Sequence, residues 1–381
     1  MLTSLSIRKG TSLSRDAREA ARELHTALDQ PDIKLAVFYC TPDMDLPALA
    51  HELHERFGAV NLIGCTTAGE ITPQGYLSGA LTGFSLAGDD LQVVSHLIHL
   101  DPFDSATCAA DTTALLRELP EMGPTSTGGT ASTFGFLLID GLAMLEELVV
   151  SCVHQHLDGV DLVGGSAADD THFGATHLYY HGTFHQKVAL LTLVRTTLPC
   201  MAFRTQHFVQ SDRRMVVTRA DPARRIVHEI NGKPAAREFA KLLNLQITEL
   251  TPMTFATHPV VVRIGGQYFV RSIAKVNEDE SLTFFCAIDE GIVLTVARGV
   301  DMVENLEHAF EQVRATVGHP QLVLGCDCIL RRLESEREGI KEKIGRIFVD
   351  HNVIGFATYG EQFNSMHVNQ TFTGIAIGGT G

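Results

Sequence analysis

The sequence contains no apolar run as long as the roughly 18 residues that a membrane-spanning helix needs. The longest apolar runs, Phe134–Ile139 and Val188–Val194, have the length of strands. The first residues, Met1–Ser14, are polar and lack the apolar stretch of a secretory signal peptide. From these absences we expect a soluble protein of a reducing compartment, the cytoplasm, that does not enter a membrane.

Basic residues are few: 30 Lys and Arg stand against 45 Asp and Glu, which gives a formal net charge of −15. Nucleic acids and anionic membranes attract basic surfaces. We therefore expect neither of them to be the main partner.

Cysteines are sparse, with 8 in 381 residues, so a secreted disulfide framework is not expected. Cys326 and Cys328 end an apolar strand, and residues two apart in a strand face the same side. Their thiols are therefore candidate ligands for a metal, or a redox pair. Because a closed zinc site needs four ligands, the alternative is that both are small buried hydrophobes.

Catalytic motifs are also missing: there is no G-x-S-x-G, no P-loop and no G-x-G-x-x-G that opens a helix. We therefore predict that the chain is not an enzyme. Histidine, in contrast, is plentiful, with 18 residues. No C-x-x-C-H is present, which excludes covalent c-type haem, whereas a b-type haem needs only one proximal ligand in an apolar pocket.

Short apolar strands alternate with amphipathic helices, which predicts an α/β fold of mixed sheets with flanking helices. The helices are predicted over Ser14–Leu28 and Asp301–Val317. The length favours two domains. We predict an N-terminal helix region over 1–30, a first domain over 31–219 and a second domain over 220–381, with a linker near Arg219–Pro222. The predicted strands are Ile33–Cys40, Leu62–Cys65, Leu91–Ile98, Phe134–Ile139, Val188–Val194, Met215–Thr218, Leu282–Ile288, Gln321–Cys328 and Val353–Thr358.

One segment recurs near both ends of the chain: Asn61–Glu70 reads NLIGCTTAGE and Asn352–Glu361 reads NVIGFATYGE. This match predicts a duplicated strand–helix–strand–strand unit in the two domains, and Asp161–Asp170 (DLVGGSAADD) shows a weaker third version. Polar residues at strand ends are where α/β folds bind ligands. The candidate ligand-binding residues are Thr67, Glu70, Thr358 and Glu361. The alternative is turn chemistry, with each Glu accepting backbone amides.

Several of these segments, in this order, resemble the FIST family, a pair of domains called FIST-N and FIST-C in bacterial sensory proteins. The matching segments are GCTTAGE (64–70), GGSAADD (164–170), VHEINGKPAAREFAKLL (227–243), LVLGCDCILRR (322–332) and GFATYGEQFNSMHVNQTFTGIAIG (355–378). Within the family, the chain looks most similar to the nitric-oxide-sensing haemoproteins of the NosP type.

This resemblance implies a b-type haem, binding of nitric oxide, and a histidine kinase or cyclic-di-GMP enzyme as the partner; it leaves a homodimer open. No matched motif identifies the axial ligand of the haem. The candidates are His207 and His185, with His228 third. The alternative function is a sensory module that binds a small metabolite such as an amino acid in the crevice between the duplicated loops, where Glu70 and Glu361 would contact its amine.

Overall fold

The computed structural model describes residues 5–122, 131–264 and 266–379, which form three copies of one unit and an inserted sheet. Within these residues no helix is long and apolar enough to cross a membrane. We call the copies the first, middle and last repeats.

The first repeat spans residues 6–87. Its elements are β1 (Ser6–Ser12), α1 (Ala17–Leu28), β2 (Ile33–Cys40), α2 (Leu46–Phe57), β3 (Leu62–Thr66), β4 (Glu70–Thr72), β5 (Gly75–Leu77) and β6 (Leu81–Ala87).

The middle repeat spans residues 91–196. Its elements are β7 (Leu91–His99), α3 (Ser105–Glu118), β8 (Ser132–Ile139), α4 (Glu146–Gln155), β9 (Asp161–Ser166), β10 (Leu178–Tyr180), β11 (Thr183–His185) and β12 (Val188–Thr196).

The last repeat is interrupted after its first strand, β13 (Cys200–Thr205), by the inserted sheet of residues 208–299. The inserted elements are β14 (Phe208–Asp221), β15 (Ile226–Ile230), β16 (Lys233–Pro234), α5 (Ala235–Leu243), α6 (Pro252–Thr257), β17 (Val260–Ile264), β18 (Gln267–Arg271), β19 (Ile273–Val276), β20 (Leu282–Phe284) and β21 (Val293–Gly299). The last repeat then resumes with α7 (Met302–Val317), β22 (Leu322–Cys328), α8 (Ile329–Arg337), α9 (Lys341–Asp350), β23 (Val353–Thr358), β24 (Glu361–Phe363), β25 (Met366–Val368) and β26 (Phe372–Ile377).

The three repeats exchange hairpins in a closed cycle. Each repeat contributes a parallel strand pair to its own six-stranded sheet: β2 with β3, β8 with β9, and β22 with β23. Each sheet is completed by a hairpin from another repeat, because β10–β11 adds to β3, β4–β5 adds to β23, and β24–β25 adds to β9. The sheets therefore share one strand order, and each repeat is covalently built into two sheets.

The central core lies between the inner faces of the three sheets, where Tyr39 stacks on Phe356 with ring centroids 4.7 Å apart. The outer face of each sheet is covered by the helices of its own repeat. The inserted sheet packs separately against α5 and α6. Three apolar layers thus surround the central core, and the inserted sheet has a core of its own. The hydrophobic effect favours each in proportion to the area removed from water.

The predicted α/β class with mixed sheets and a duplicated unit is confirmed, and the structure adds the third copy. Helix α1 buries Ala17, Ala20 and Leu24 as the periodicity predicts. Between β22 and β23 the chain forms two helices, α8 and α9, because it turns at Gly339 with φ +69°. Residues 219–221 lie at the end of β14, where the sequence predicted a linker.

Candidate functional site

The turns that follow the second parallel strand of each repeat meet at the centre of the molecule. They are residues 66–70, 166–170 and 357–361. Backbone hydrogen bonds join them: the amide of Ala357 donates to the carbonyl of Gly69 (2.7 Å), and the amide of Ser166 donates to that of Gly360 (2.8 Å). The equivalent loops therefore do converge, as the duplication suggested.

The two glutamates of these turns are fully buried. Glu70 accepts hydrogen bonds from the Thr67 hydroxyl (2.6 Å) and from the amide of Ala80 (3.1 Å). Glu361 accepts from the Thr358 hydroxyl (2.7 Å) and from the amide and hydroxyl of Thr371. Each carboxyl fastens the start of its hairpin to the strand that follows. Contact with a ligand amine stays a prediction, and it would require these turns to open.

The middle repeat makes the same contact with a different residue. Asp140, at the end of β8, accepts from the Thr176 hydroxyl and from the amide of Lys187 (2.5 Å), the residue before β12. Each repeat therefore buries one carboxyl that accepts from at least one hydroxyl and from the amide preceding its last strand.

Replacing Glu361 by glutamine is expected to flatten the dependence of stability on pH. Burial raises the pKa of Glu361 to about 8, so the folded carboxyl holds a proton that the unfolded chain releases. The free energy of unfolding therefore falls as pH rises from about 4.5 to about 8, by at most about 1.4 kcal/mol per pH unit from this group. Glutamine keeps an acceptor for Thr371 and does not titrate. Urea unfolding of both proteins across this range measures the difference.

The unfolding free energies of the unchanged chain and Glu361→Gln are best compared above pH 6.5, where the buried histidines contribute least to the pH dependence. Burial lowers the pKa of His207 to about 2 and that of His367 to about 4, and both add an opposite slope below the ordinary histidine pKa of 6.5. The exposed Glu342→Gln is the matched control and should leave the profile unchanged. A Glu361→Gln profile parallel to that of the unchanged chain would contradict the assignment.

His207, the first candidate haem ligand, is completely buried in a polar network. Its Nδ1 lies 2.8 Å from Nη1 of Arg331 and its Nε2 lies 2.9 Å from a carboxylate oxygen of Glu334. Arg331 also donates to Asp327 (2.7 Å). Burial lowers the pKa of His207, so the ring is neutral: Nδ1 accepts from Arg331 and Nε2 donates to Glu334. This arrangement leaves neither ring nitrogen free for iron.

The other candidates lie apart from His207. Nε2 of His185 is 2.8 Å from the Thr183 hydroxyl, and His228 lies on the inserted sheet with Nδ1 3.7 Å from Asp279. Cys326 belongs to the central core and Cys328 to the core under the helices of the last repeat, and burial raises the pKa of both thiols. Across residues 5–122, 131–264 and 266–379, no group of three or more His, Cys, Asp or Glu side chains is placed to hold a metal ion.

An open cavity of about 730 Å³ lies between α2 and the hairpin β10–β11, and we call it the helix–hairpin cleft. This volume is within the range of roughly 300–1,000 Å³ typical of ligand sites. Apolar side chains dominate its wall, and three histidines are among its lining residues. The lining residues are Pro42, Met44, Asp45, Leu46, Pro47, Ala50, His51, His54, His177, Gly182, Thr183 and Phe184.

His177 is held rigidly in this cleft. Its backbone amide donates to the Thr66 hydroxyl (3.1 Å), and its carbonyl accepts from the Thr66 amide (3.0 Å). Its Nδ1 is buried and has no hydrogen-bond partner among the described residues. Burial lowers the pKa of His177, so the imidazole is neutral at neutral pH and able to bind a metal through a lone pair.

The residues at the equivalent positions in the other two sheets are buried. Phe184 of β11 occupies the hairpin position that Tyr76 has in β5 and His367 has in β25. Tyr76 is buried, with the Lys341 ammonium 5.6 Å from its ring centroid. His367 is buried near Glu147. Phe184, in contrast, is half-buried and lines the helix–hairpin cleft.

The sequence prediction missed His51 and His54 and did not select His177. A local signal existed for the first two, since they lie three residues apart on a helix whose buried side carries Leu49, Leu53 and Phe57. No such signal joined them to His177, which a hairpin of the middle repeat brings to the first repeat.

Comparison with known proteins gives two family matches. The FIST N domain model matches residues 34–233, and the FIST C domain model matches residues 235–364. No curated protein matches the chain.

Proposed function

Because the chain belongs to the FIST family, whose domains are sensory modules of signalling proteins, we propose that it is a non-enzymatic sensor that binds b-type haem and nitric oxide. The haem expectation originates in the resemblance to the NosP-type proteins. The observation that carries it here is the helix–hairpin cleft, whose largely apolar wall includes His177, a neutral histidine with a buried ring nitrogen that has no partner among the described residues. The partner we propose is a histidine kinase or a cyclic-di-GMP enzyme.

The residues of the cleft fit a b-type haem. Such a haem needs one proximal ligand, which can be a histidine, and an apolar pocket, and when bound it supplies the iron that takes nitric oxide. His177 would provide the axial nitrogen, and Thr66 fixes its backbone. Met44 and Phe184 provide apolar contact. His51 and His54 line the same cavity from α2 and are placed to contact the ligand from that wall.

Replacing His177 by alanine is expected to abolish the Soret band of the haem-reconstituted protein, because the axial nitrogen is lost. The absorption spectrum after haem addition, with and without nitric oxide, measures this directly. His51→Ala combined with His54→Ala should retain the band and shift it, since these side chains line the cavity without the rigid hold that His177 has. Circular dichroism checks that each variant folds.

The matched controls are His185→Ala and His228→Ala, which should take up haem as the unchanged chain does. His207→Ala should also retain the Soret band, although it removes a partner of buried Arg331 and should lower stability. Loss of the band in any of these three, with retention in His177→Ala, would move the ligand to that residue and overturn the cleft as the haem site. Protein that takes up no haem at all would overturn the haem proposal itself.

A further inference from the structure

A second cavity, of about 500 Å³, lies where the last repeat meets the inserted sheet, and we call it the Arg204 cavity. Ligand sites form preferentially at such junctions. β13 supplies Arg204, the inserted sheet supplies Val261 and Tyr268, and Gln206 lies in the short connection between them. None of the described residues that line this cavity is acidic.

Arg204 carries an unpaired positive charge. Its guanidinium lies 4.8 Å from the ring centroid of Phe269 and 5.6 Å from that of Phe363. In the described part of the chain it has no carboxylate partner, whereas the buried Arg225 pairs with two carboxylates and the buried Arg331 with one. Burial alone lowers the pKa of Arg204. A partly desolvated cation without a counter-ion is costly, and an anion would offset that cost.

Two neutral polar atoms beside Arg204 also lack partners. Nε2 of Gln206 donates to the carbonyl of Tyr268 (3.2 Å), while its Oε1 is buried and accepts no hydrogen bond from the described residues. Thr373 lies directly opposite Arg204 across the β13–β26 pair, and its buried hydroxyl is likewise unpartnered there. Opposite residues of an antiparallel pair share a face. Arg204 and Gln206 therefore line the cavity, and the unpartnered Oε1 of Gln206 and hydroxyl of Thr373 are buried beside them.

We propose that the Arg204 cavity binds a small 2-hydroxy carboxylic acid as a monoanion. The carboxylate would pair with Arg204, the 2-hydroxyl would donate to Oε1 of Gln206, and the carbon chain would lie against Phe208 and Val261. A 2-amino acid fits less well, because its ammonium group would enter a cavity with a cation and no acidic side chain. This site lies on different elements from the helix–hairpin cleft, so it stands independently of the haem proposal.

Isothermal titration of the full chain with L-lactate, acetate, L-alanine and L-lactamide tests the proposal. Lactate should bind most tightly, acetate and alanine more weakly, and uncharged lactamide should not bind. Arg204→Gln should weaken lactate binding at least about tenfold, because charge-assisted hydrogen bonds are roughly twice as strong as neutral ones. Gln206→Leu should bring lactate down to the affinity of acetate, which has no hydroxyl. The exposed Arg346→Gln is the matched control and should bind lactate normally.

Three outcomes would overturn the site: no binding of any acid, equal binding of lactate and lactamide, or lactate binding unchanged in both Arg204→Gln and Gln206→Leu. If Arg204→Gln does not fold, the test rests on Gln206→Leu. The proposal requires this variant to bind lactate no more tightly than acetate. The haem spectrum of Arg204→Gln should match that of the unchanged chain, so failure of this site and failure of the haem proposal are distinguishable.

Discussion

Gly355→Ala is expected to leave the chain unable to reach its native fold. A Cβ atom at this position in β23 would lie 1.8 Å from the carbonyl oxygen of Gly325 on the neighbouring strand β22. Because the obstacle is backbone, no rotamer change relieves it, and the two strands must separate. Overpacking of cores typically costs about 1–3 kcal/mol, and a backbone clash of this size is expected to exceed that. Soluble yield and urea unfolding of the purified protein are the measurements.

Gly299→Ala is the matched control for this prediction. Its Cβ would meet its nearest neighbours at 3.8 Å, an ordinary contact, so stability should change by less than about 1 kcal/mol. Gly164→Ala should behave like Gly355→Ala, since its Cβ would lie 1.9 Å from the carbonyl oxygen of Leu137 in the middle repeat. Normal folding of both Gly355→Ala and Gly164→Ala would contradict the close approach of the parallel strands at these two equivalent positions.

These glycines show how far the repeat could be recognised from the sequence. Gly64, Gly164 and Gly355 occupy the same place in NLIG, DLVG and NVIG, and in each repeat a side chain there would strike the neighbouring parallel strand. Only glycine meets this steric requirement, so glycine stands at the same place in all three repeats. The first-to-last duplication was recognisable for that reason, whereas the strands and the α/β class were predictable from the apolar periodicity.

The middle repeat was hard to recognise because its polar contacts are made by other residues. Where the first repeat has Thr67 and Glu70, the middle repeat has Ala167 and Asp170. The equivalent buried carboxyl is Asp140, which comes from the end of a different strand. The middle repeat therefore keeps the buried carboxyl and its hydrogen bonds but takes the carboxyl from a different place in the repeat. Aligning the repeats residue by residue cannot detect this change.

The site was less predictable than the fold, because the cyclic exchange of hairpins joins distant parts of the chain. His177 reaches α2 only because β10 adds to the sheet of the first repeat. His207 was selected as a candidate haem ligand, but the sequence did not indicate what surrounds it. Its partners, Arg331 and Glu334, lie on α8 of the last repeat, and no local pattern indicates that both ring nitrogens are occupied.

Arg225→Met is expected to lower the free energy of unfolding by about 3–5 kcal/mol, the cost of leaving a buried charge unpaired. Arg225 is 5% exposed and donates to Glu146 (2.5 Å), Glu147 (2.6 Å) and the carbonyl of Phe285 (2.6 Å). The two glutamates begin α4 of the middle repeat, whereas Arg225 and Phe285 belong to the inserted sheet. Removing the guanidinium leaves Glu146, itself 2% exposed, without its cation at the junction of the two parts. Urea unfolding measures the loss.

The control is Arg219→Met, which breaks an exposed pair with Glu229 (3.3 Å) and should cost less than about 1 kcal/mol. Adding Glu146→Gln to Arg225→Met should recover part of the loss, because the unpaired charge is then removed together with its partner. Should Arg225→Met unfold at the same urea concentration as Arg219→Met, the ion pair does not hold the junction. Helix α4 is attached to the inserted sheet by Arg225 and by the amide of Ala287, which donates to Glu147 (2.5 Å). Because Arg225→Met removes the first of these contacts, protease should cut the inserted sheet of this variant at a lower urea concentration than the three repeats.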